Sequence, residues 1–191
     1  MASPPVSKLT EEQYLAIERA AEFRSEFLDG EMFAMSGAPM NHAMLQTNTV
    51  VELSMALRGK GCRVFGPDFH VRVSSRMYTY PDVSVVCGKP LLGDRQNDSL
   101  MNPVAIFEVL SPSTEKYDRG LKFQHYRTIG SLRDFFLVDQ DQVLIEQYTR
   151  QPDHTWTLRE YRNLEEELKI DSIGANISVQ RIYDQIEFPA G

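Results

Sequence analysis

Cysteine is nearly absent from this chain: 191 residues hold two, Cys62 and Cys87. Two are too few for a disulfide framework, and neither belongs to a CxxC or Cys/His zinc pattern. Reduced thiols within a core are the expected state. Long apolar runs are missing too. Nothing approaches the roughly 18–20 consecutive apolar residues that span a bilayer. The opening residues, MASPPVSKLTEEQ, lack an apolar signal core, so a cytoplasmic protein is expected and no membrane partner. There is no GxSxG elbow, Walker loop or dinucleotide fingerprint. No repeat, linker or low-complexity segment divides the chain, so residues 1–191 are read as one domain.

Positive charge is also in short supply. The net charge is −7, which argues at first against a nucleic-acid binder. Its distribution changes that. Residues 1–133 carry 15 acidic and 15 basic side chains, and the last 58 carry 12 and 5, which accounts for the whole excess. Within 58–76, Arg58, Lys60, Arg63, Arg72 and Arg76 face Asp68 alone. This stretch is either a basic footprint for phosphates or an ordinary solvated face.

What is present is a pattern of alternating element types. Thr10-Glu-Glu-Gln13 is a capping box, and Leu9, Tyr14, Ile17 and Ala21 recur at helical spacing, which predicts a helix over 11–24. Asp29-Gly30 sits between two short strands as a hairpin turn. A helix with Asn41 as cap runs to about Leu57, ended by Gly59 and Gly61. CRVF, FHVRVS and PDVSVV read as strands. Residues 88–102 read as an exposed loop. VAIFEVL is a strand, and a helix follows, capped by Ser113 or Thr114, with Leu121, Phe123, Tyr126 and Ile129 on its buried side. DFFLVDQ, VLIEQYTR and TWTLREY are further strands, with one more short helix near 178–186. The fold class is α/β, a mixed central β-sheet flanked by helices, with an N-terminal helix and β-hairpin.

Two carboxylates break the apolar pattern. Glu108 lies inside VAIFEVLSPS, and Asp82 opens the run after Pro81. A buried carboxylate costs free energy unless it is paired or bound to a cation. If the two strands are neighbours, both groups fall within reach of one hard cation, Mg²⁺ or Mn²⁺, to which Val109 could add its main-chain carbonyl. The alternative is structural: Asp82 caps a turn and Glu108 pairs with an arginine. Asp118 and Lys122 are i and i+4 on one helical face. They are either a surface ion pair or a route by which a lysine reaches the strand end. His70, His125 and His154 have no ligand spacing.

Pro81-Asp82 followed by Glu108 resembles the restriction-endonuclease-like nucleases, whose motif is Pro-Asp, a spacer, then Asp/Glu-X-Lys. The position two after Glu108 is Leu110, a departure. EVLSPST, YDRGLKFQHYR and LRDFFLVD together are similar to the Uma family within that superfamily, over about Leu9 to Tyr183. Its members carry the lysine on the following helix, where Lys122 stands. The resemblance implies a restriction-endonuclease-like fold and a metal-dependent endonuclease acting on nucleic acid, DNA first. A homodimer is an allowed assembly. Asp82 and Glu108 would hold Mg²⁺ or Mn²⁺, and Lys122 would assist the attacking water. Glu31, after the Asp-Gly turn, and His42 would support them, or else serve as a solvent-facing carboxylate and helix packing. Arg72, Arg76 and Arg119 are the candidate phosphate contacts. Two other classes stay open: an inert nucleic-acid-binding protein on the same fold, and an interaction module acting through the acidic C-terminal portion.

Overall fold

The computed structural model describes residues 8–93, 96 and 98–188. Helix α1, Glu11–Ala20, begins with the capping box read from the sequence. Gln13 N donates to Thr10 Oγ1 at 3.3 Å, and Thr10 N donates to Gln13 Oε1 at 2.9 Å. The helix stops four residues short of the predicted end. Tyr14 turns inward, but Ile17 is exposed and Glu18 is buried in its place. Ser25 N and the Tyr80 hydroxyl both donate to the Glu18 carboxylate, which makes that burial affordable.

Strands β1 (Ser25–Leu28) and β2 (Glu31–Ala34) form the expected hairpin. Asp29 and Gly30 turn it with φ of 50° and 91°, the positive values that a two-residue connection matching strand twist requires. Helix α2 is Met40–Ala56, capped by Pro39 and not by Asn41. The Asn41 amide instead donates to the carbonyls of Gln140 and Glu187.

The central sheet uses β3 (Cys62–Phe65), β6 (Val83–Cys87), β8 (Ala105–Leu110), β9 (Asp134–Asp139), β10 (Ile145–Arg150) and β11 (Trp156–Tyr161), in the spatial order β11-β10-β9-β8-β6-β3. Only β8 and β9 are parallel; the other neighbours are antiparallel. A parallel pair needs a crossover. Here it is a helical passage of α3 (Glu115–Tyr117), a π-helical turn (Asp118–Lys122) and α4 (Phe123–Tyr126). A second sheet joins the hairpin to β5 (Met77–Thr79), β4 (His70–Ser74) and β7 (Ser99–Leu100), in the order β2-β1-β5-β4-β7. A small hairpin of β12 (Glu167–Ile170) and β13 (Ala175–Ser178) precedes α5, Val179–Ile182.

The main core lies on one face of the central sheet. There Val83, Val85, Phe107, Phe136 and Ile145 meet Leu45 and Leu53 of α2, the β12–β13 hairpin and α5. On the other face Ile106, Leu110, Phe135 and Leu137 pack under Tyr126 and Ile129. Strands β8 and β9 are thus covered on both sides, which is why they read as continuous apolar runs. No helix among the described residues is long and apolar enough to cross a membrane.

Several readings are corrected. Residues 88–102 are not all exposed loop: Ser99 and Leu100 are buried and pair with β4. Leu121 is 41% exposed, and Lys122, one turn before Tyr126, takes the inward position. Cys62 and Cys87 are not reduced thiols. They lie opposite one another on β3 and β6, 4.0 Å apart at Cα, and form a disulfide. Register, which no cysteine spacing reveals, brings them together. The acidic C-terminal portion supplies β9 and β10, both internal strands, so its removal would open the sheet.

Candidate active site

The antiparallel register of β6 and β8 aligns Val83 with Phe107 and Ser84 with Ile106. Continued by one residue, it sets Asp82 opposite Glu108. The strand neighbourhood expected from the two carboxylates is therefore present. Glu108 shares the face of Ile106 and Leu110, towards the helical passage, because side chains alternate along a strand.

Each carboxylate is held by a different element. Asp82 Oδ2 accepts from the Val109 main-chain N–H at 2.7 Å. Its Oδ1 accepts from Gln46 Nε2 at 2.7 Å and lies 2.9 Å from His42 Nε2. His42 and Gln46 are four residues apart on α2 and so share a face. His42 Nδ1 is buried and without a partner among the described residues. Glu108 Oε1 accepts from the Tyr126 hydroxyl at 2.8 Å, and that hydroxyl also lies 2.9 Å from Thr79 Oγ1.

Lys122 reaches this strand end from the π-helical turn. Its Nζ stands 2.9 Å from Glu108 Oε1, 3.1 Å from Glu26 Oε1 and 3.5 Å from Asp118 Oδ1. The Asp118–Lys122 pair is therefore real but buried, not a surface pair. Single π-turns inside helices are frequent at functional sites. This one turns Asp118 and Lys122 inward and leaves Arg119 and Leu121 towards solvent.

Glu26 was not among the sequence candidates. It stands on β1, with Phe27 beside it packing the opposite way against Tyr14 and Tyr78. Its carboxylate accepts from Tyr80 N at 3.1 Å and from the Tyr117 hydroxyl at 3.2 Å. Glu31, the candidate from this hairpin, is exposed at the start of β2. The reason is position in the sheet: β1 lies between β2 and β5, whereas β2 is an edge. The hairpin thus delivers its carboxylate from the inner strand.

The candidate phosphate contacts are already partnered. Arg72 pairs with Glu11 at 2.7 Å, Arg76 with Asp29 at 2.7 Å, and Arg119 with Glu115 and Glu146. The basic stretch is also spread out, with Lys60 and Arg63 bonded to the carbonyls of Gly174 and Gly88. Charge removal at Arg76 is accordingly expected to leave the salt dependence of any nucleic-acid binding unchanged, a direct check by titration at several salt concentrations.

The electrostatics are unbalanced. Glu26, Asp82, Glu108, Asp118 and Lys122 are each at most 9% exposed. Three of the carboxylates, Glu26, Glu108 and Asp118, lie within 3.5 Å of the one ammonium, and Asp82 faces His42. Burial, reinforced by the charges of Asp118, Asp82 and Glu26, pushes the Glu108 carboxyl well above the usual range despite the neighbouring Lys122. Burial raises Asp118 too. Burial alone would lower Lys122, but Glu108, Glu26, Tyr126 and Asp118 outweigh it and hold the ammonium well above its ordinary value. A carboxyl raised on folding binds its proton more tightly in the native state than in the unfolded one. Its stabilising effect is complete below the ordinary value of 4.5 and is lost as pH rises towards the folded value. The metal-free protein is therefore expected to melt at lower temperature as pH increases above about 4.5 through the Glu108 titration. Glu108→Gln should flatten that dependence; a wild-type melting profile in the variant would assign it elsewhere.

The Uma2 family model, described as "Putative restriction endonuclease", matches residues 11–180. "Uncharacterized protein slr1290" of Synechocystis sp. (strain ATCC 27184 / PCC 6803 / Kazusa) is 35% identical over 97% of both chains. "Uncharacterized protein sll1609" of the same organism is 35% identical over 80% of this chain and 86% of its own. The fold matches the crystal structure of "a putative nuclease belonging to DUF820 from Anabaena variabilis ATCC 29413". The TM-score is 0.76 at 16% identity, covering 94% of this chain and 99% of that one. On the match to residues 11–180 and the two Synechocystis relatives, the chain belongs to the Uma2 family.

Proposed function

We propose that this chain is a metal-dependent endonuclease that hydrolyses phosphodiester bonds in nucleic acid, DNA first. The observation that carries the proposal is the imbalance at the β6–β8 strand end: four buried carboxylates against one buried ammonium. Such a cluster keeps its charge only with a further cation. Its donors are oxygens, which suits a hard ion. Among the described residues no three His, Cys, Asp or Glu side chains form a metal-holding group. A site of two carboxylates is the form that fits, since Mg²⁺ commonly takes one or two carboxylates with water and phosphate oxygens. Asp82 and Glu108 would hold the ion, with the Val109 carbonyl as a further donor. Bound Mg²⁺ or Mn²⁺ would polarise the phosphodiester and lower the pKa of a water nucleophile.

The chain's own groups do the rest. His42, Gln46 and Val109 N–H fix both oxygens of Asp82. Tyr126 fixes Glu108. Lys122 keeps its proton and presents positive charge beside Glu108, where negative charge grows on the phosphorus oxygens in the transition state. Glu26 positions that ammonium from the opposite side. His42, with a free buried Nδ1, is the group available for proton transfer.

The test is incubation with supercoiled plasmid and with single-stranded DNA, with and without Mn²⁺, beside Asp82→Ala. Wild-type protein is expected to cleave only with the ion, and the variant not at all. Folded wild-type protein that binds DNA and cleaves neither substrate with any divalent cation would overturn the nuclease reading in favour of an inert nucleic-acid binder.

A further inference from the structure

On the outer side of the helical passage lies a pocket of about 440 Å³, lined by Gln124, Arg127, Thr128, Arg150, His154 and Trp156. No carboxylate lines it. Among the described residues, neither Arg127, Arg150 nor the adjacent Arg133 has an acidic partner. Arg58, Arg63 and Arg159 likewise have none, whereas Arg24, Arg72, Arg76, Arg119, Arg162 and Arg181 each have at least one; what sets Arg127 and Arg150 apart is that they line one pocket. The guanidiniums are held by rings instead. Arg150 lies 4.9 Å from the centroid of Trp156, and Arg127 lies 5.2 Å from that of Phe123. Arg150 also donates to the Arg127 carbonyl, which ties the two together. Its Nε is buried and has no hydrogen-bond partner among the described residues. Burial, and after it the Arg133 charge, holds Arg150 below its ordinary value.

Uncompensated arginines, aromatic rings that fix their planes and an orphaned donor make an anion site. Guanidinium forks match phosphate geometry. Arg127 follows Lys122 by five residues, which turns it to the other side of the helical passage: Lys122 is buried and Arg127 exposed.

We propose that this pocket is a phosphate-binding subsite that grips the backbone of a nucleic-acid strand away from the carboxylate cluster, towards the other end of the central sheet. The subsite rests on the nuclease reading for its ligand, not for its chemistry. It takes the place of Arg72 and Arg76 as the source of phosphate contacts.

The chain's single tryptophan is Trp156, so its emission reports on the pocket. The experiment titrates a fluorescently labelled single-stranded oligonucleotide into full-length protein carrying Asp82→Asn, without divalent cation, so that nothing is cleaved. Anisotropy and Trp156 emission are read at several salt concentrations. Arg127→Gln with Arg133→Gln removes two solvent-facing charges, and Arg150→Lys keeps its charge but loses the fork. Melting curves show that each variant is folded. The expected result is a saturable change in Trp156 emission and an affinity at least about tenfold lower in the double variant. The salt slope should fall by about one, the loss of one phosphate contact. Arg150→Lys should weaken binding without changing that slope. Millimolar inorganic phosphate should compete.

Unchanged affinity and slope in the folded double variant would overturn the subsite, even if the wild-type enzyme cleaves DNA. A Trp156 response to phosphate with none to the oligonucleotide would overturn its assignment to a strand. Arginine-dependent binding by a chain that never cleaves would uphold the subsite and count against the nuclease.

Discussion

Lys122→Met is expected to reduce phosphodiester cleavage by about 10²-fold or more, the usual scale for losing one positioned electrostatic stabiliser. Metal affinity should not fall. Lysine is not a ligand, and removing an ammonium 2.9 Å from Glu108 takes away a competitor for the same oxygen. Stability will change as well. The substitution leaves Glu26, Glu108 and Asp118 buried without their common partner, and breaking a buried pair in this way costs several kcal/mol unless protonation relieves it. The melting temperature of the variant should therefore drop more at pH 8 than at pH 5. A variant that melts as the wild type does and cleaves at the wild-type rate would remove Lys122 from the chemistry. Leu110, where the usual lysine is missing, would then mark an inert protein.

Asp82→Asn is expected to behave differently, losing metal binding and cleavage together. The substitution is mild for the fold. One amide oxygen can still accept from Val109 N–H, and the amide nitrogen can face Gln46 and His42, both of which can exchange donor and acceptor roles. What it removes is the charge. The loss in metal affinity should exceed the roughly 10- to 100-fold that follows when only a supporting partner is removed. Retained Mn²⁺ affinity with lost cleavage would make Asp82 a catalytic group but not a ligand. The contrast with Lys122→Met separates holding the ion from assisting the reaction, which one inactive variant could not do.

The parts of the site written in local pattern were legible in the sequence. Pro81-Asp82 and the glutamate inside VAIFEVL mark two strand ends, and the charge argument demanded that they be neighbours; β6 and β8 are. The resemblance places Lys122 on the next helix; its i,i+4 spacing from Asp118 alone leaves a surface ion pair equally open. Glu26 could not be found this way. All of SEFL is buried or nearly so, and which face of a four-residue strand points to the site depends on α1 and β5, contacts distant in sequence. Choosing Glu31 instead followed the resemblance, not any physical requirement at that position. The π-helical turn has no composition signal. The disulfide, β7 and the β12–β13 hairpin depend on register and long-range packing. The pairing of Arg72 with Glu11 and of Arg76 with Asp29 likewise joins residues from different elements, so a count of basic residues along 58–76 overstated the free positive charge.

The central claim is that Asp82 and Glu108, among the buried carboxylates beside Lys122, hold a divalent cation. Calorimetric titration of Mn²⁺ into the wild-type chain at two pH values tests it most directly, in buffers of different ionisation enthalpy. The account expects one ion per chain, release of protons on binding because Glu108 holds its proton above the usual carboxylate range, and affinity that rises with pH. No binding by folded wild-type protein, or binding that Asp82→Asn and Glu108→Gln leave unchanged, would contradict it.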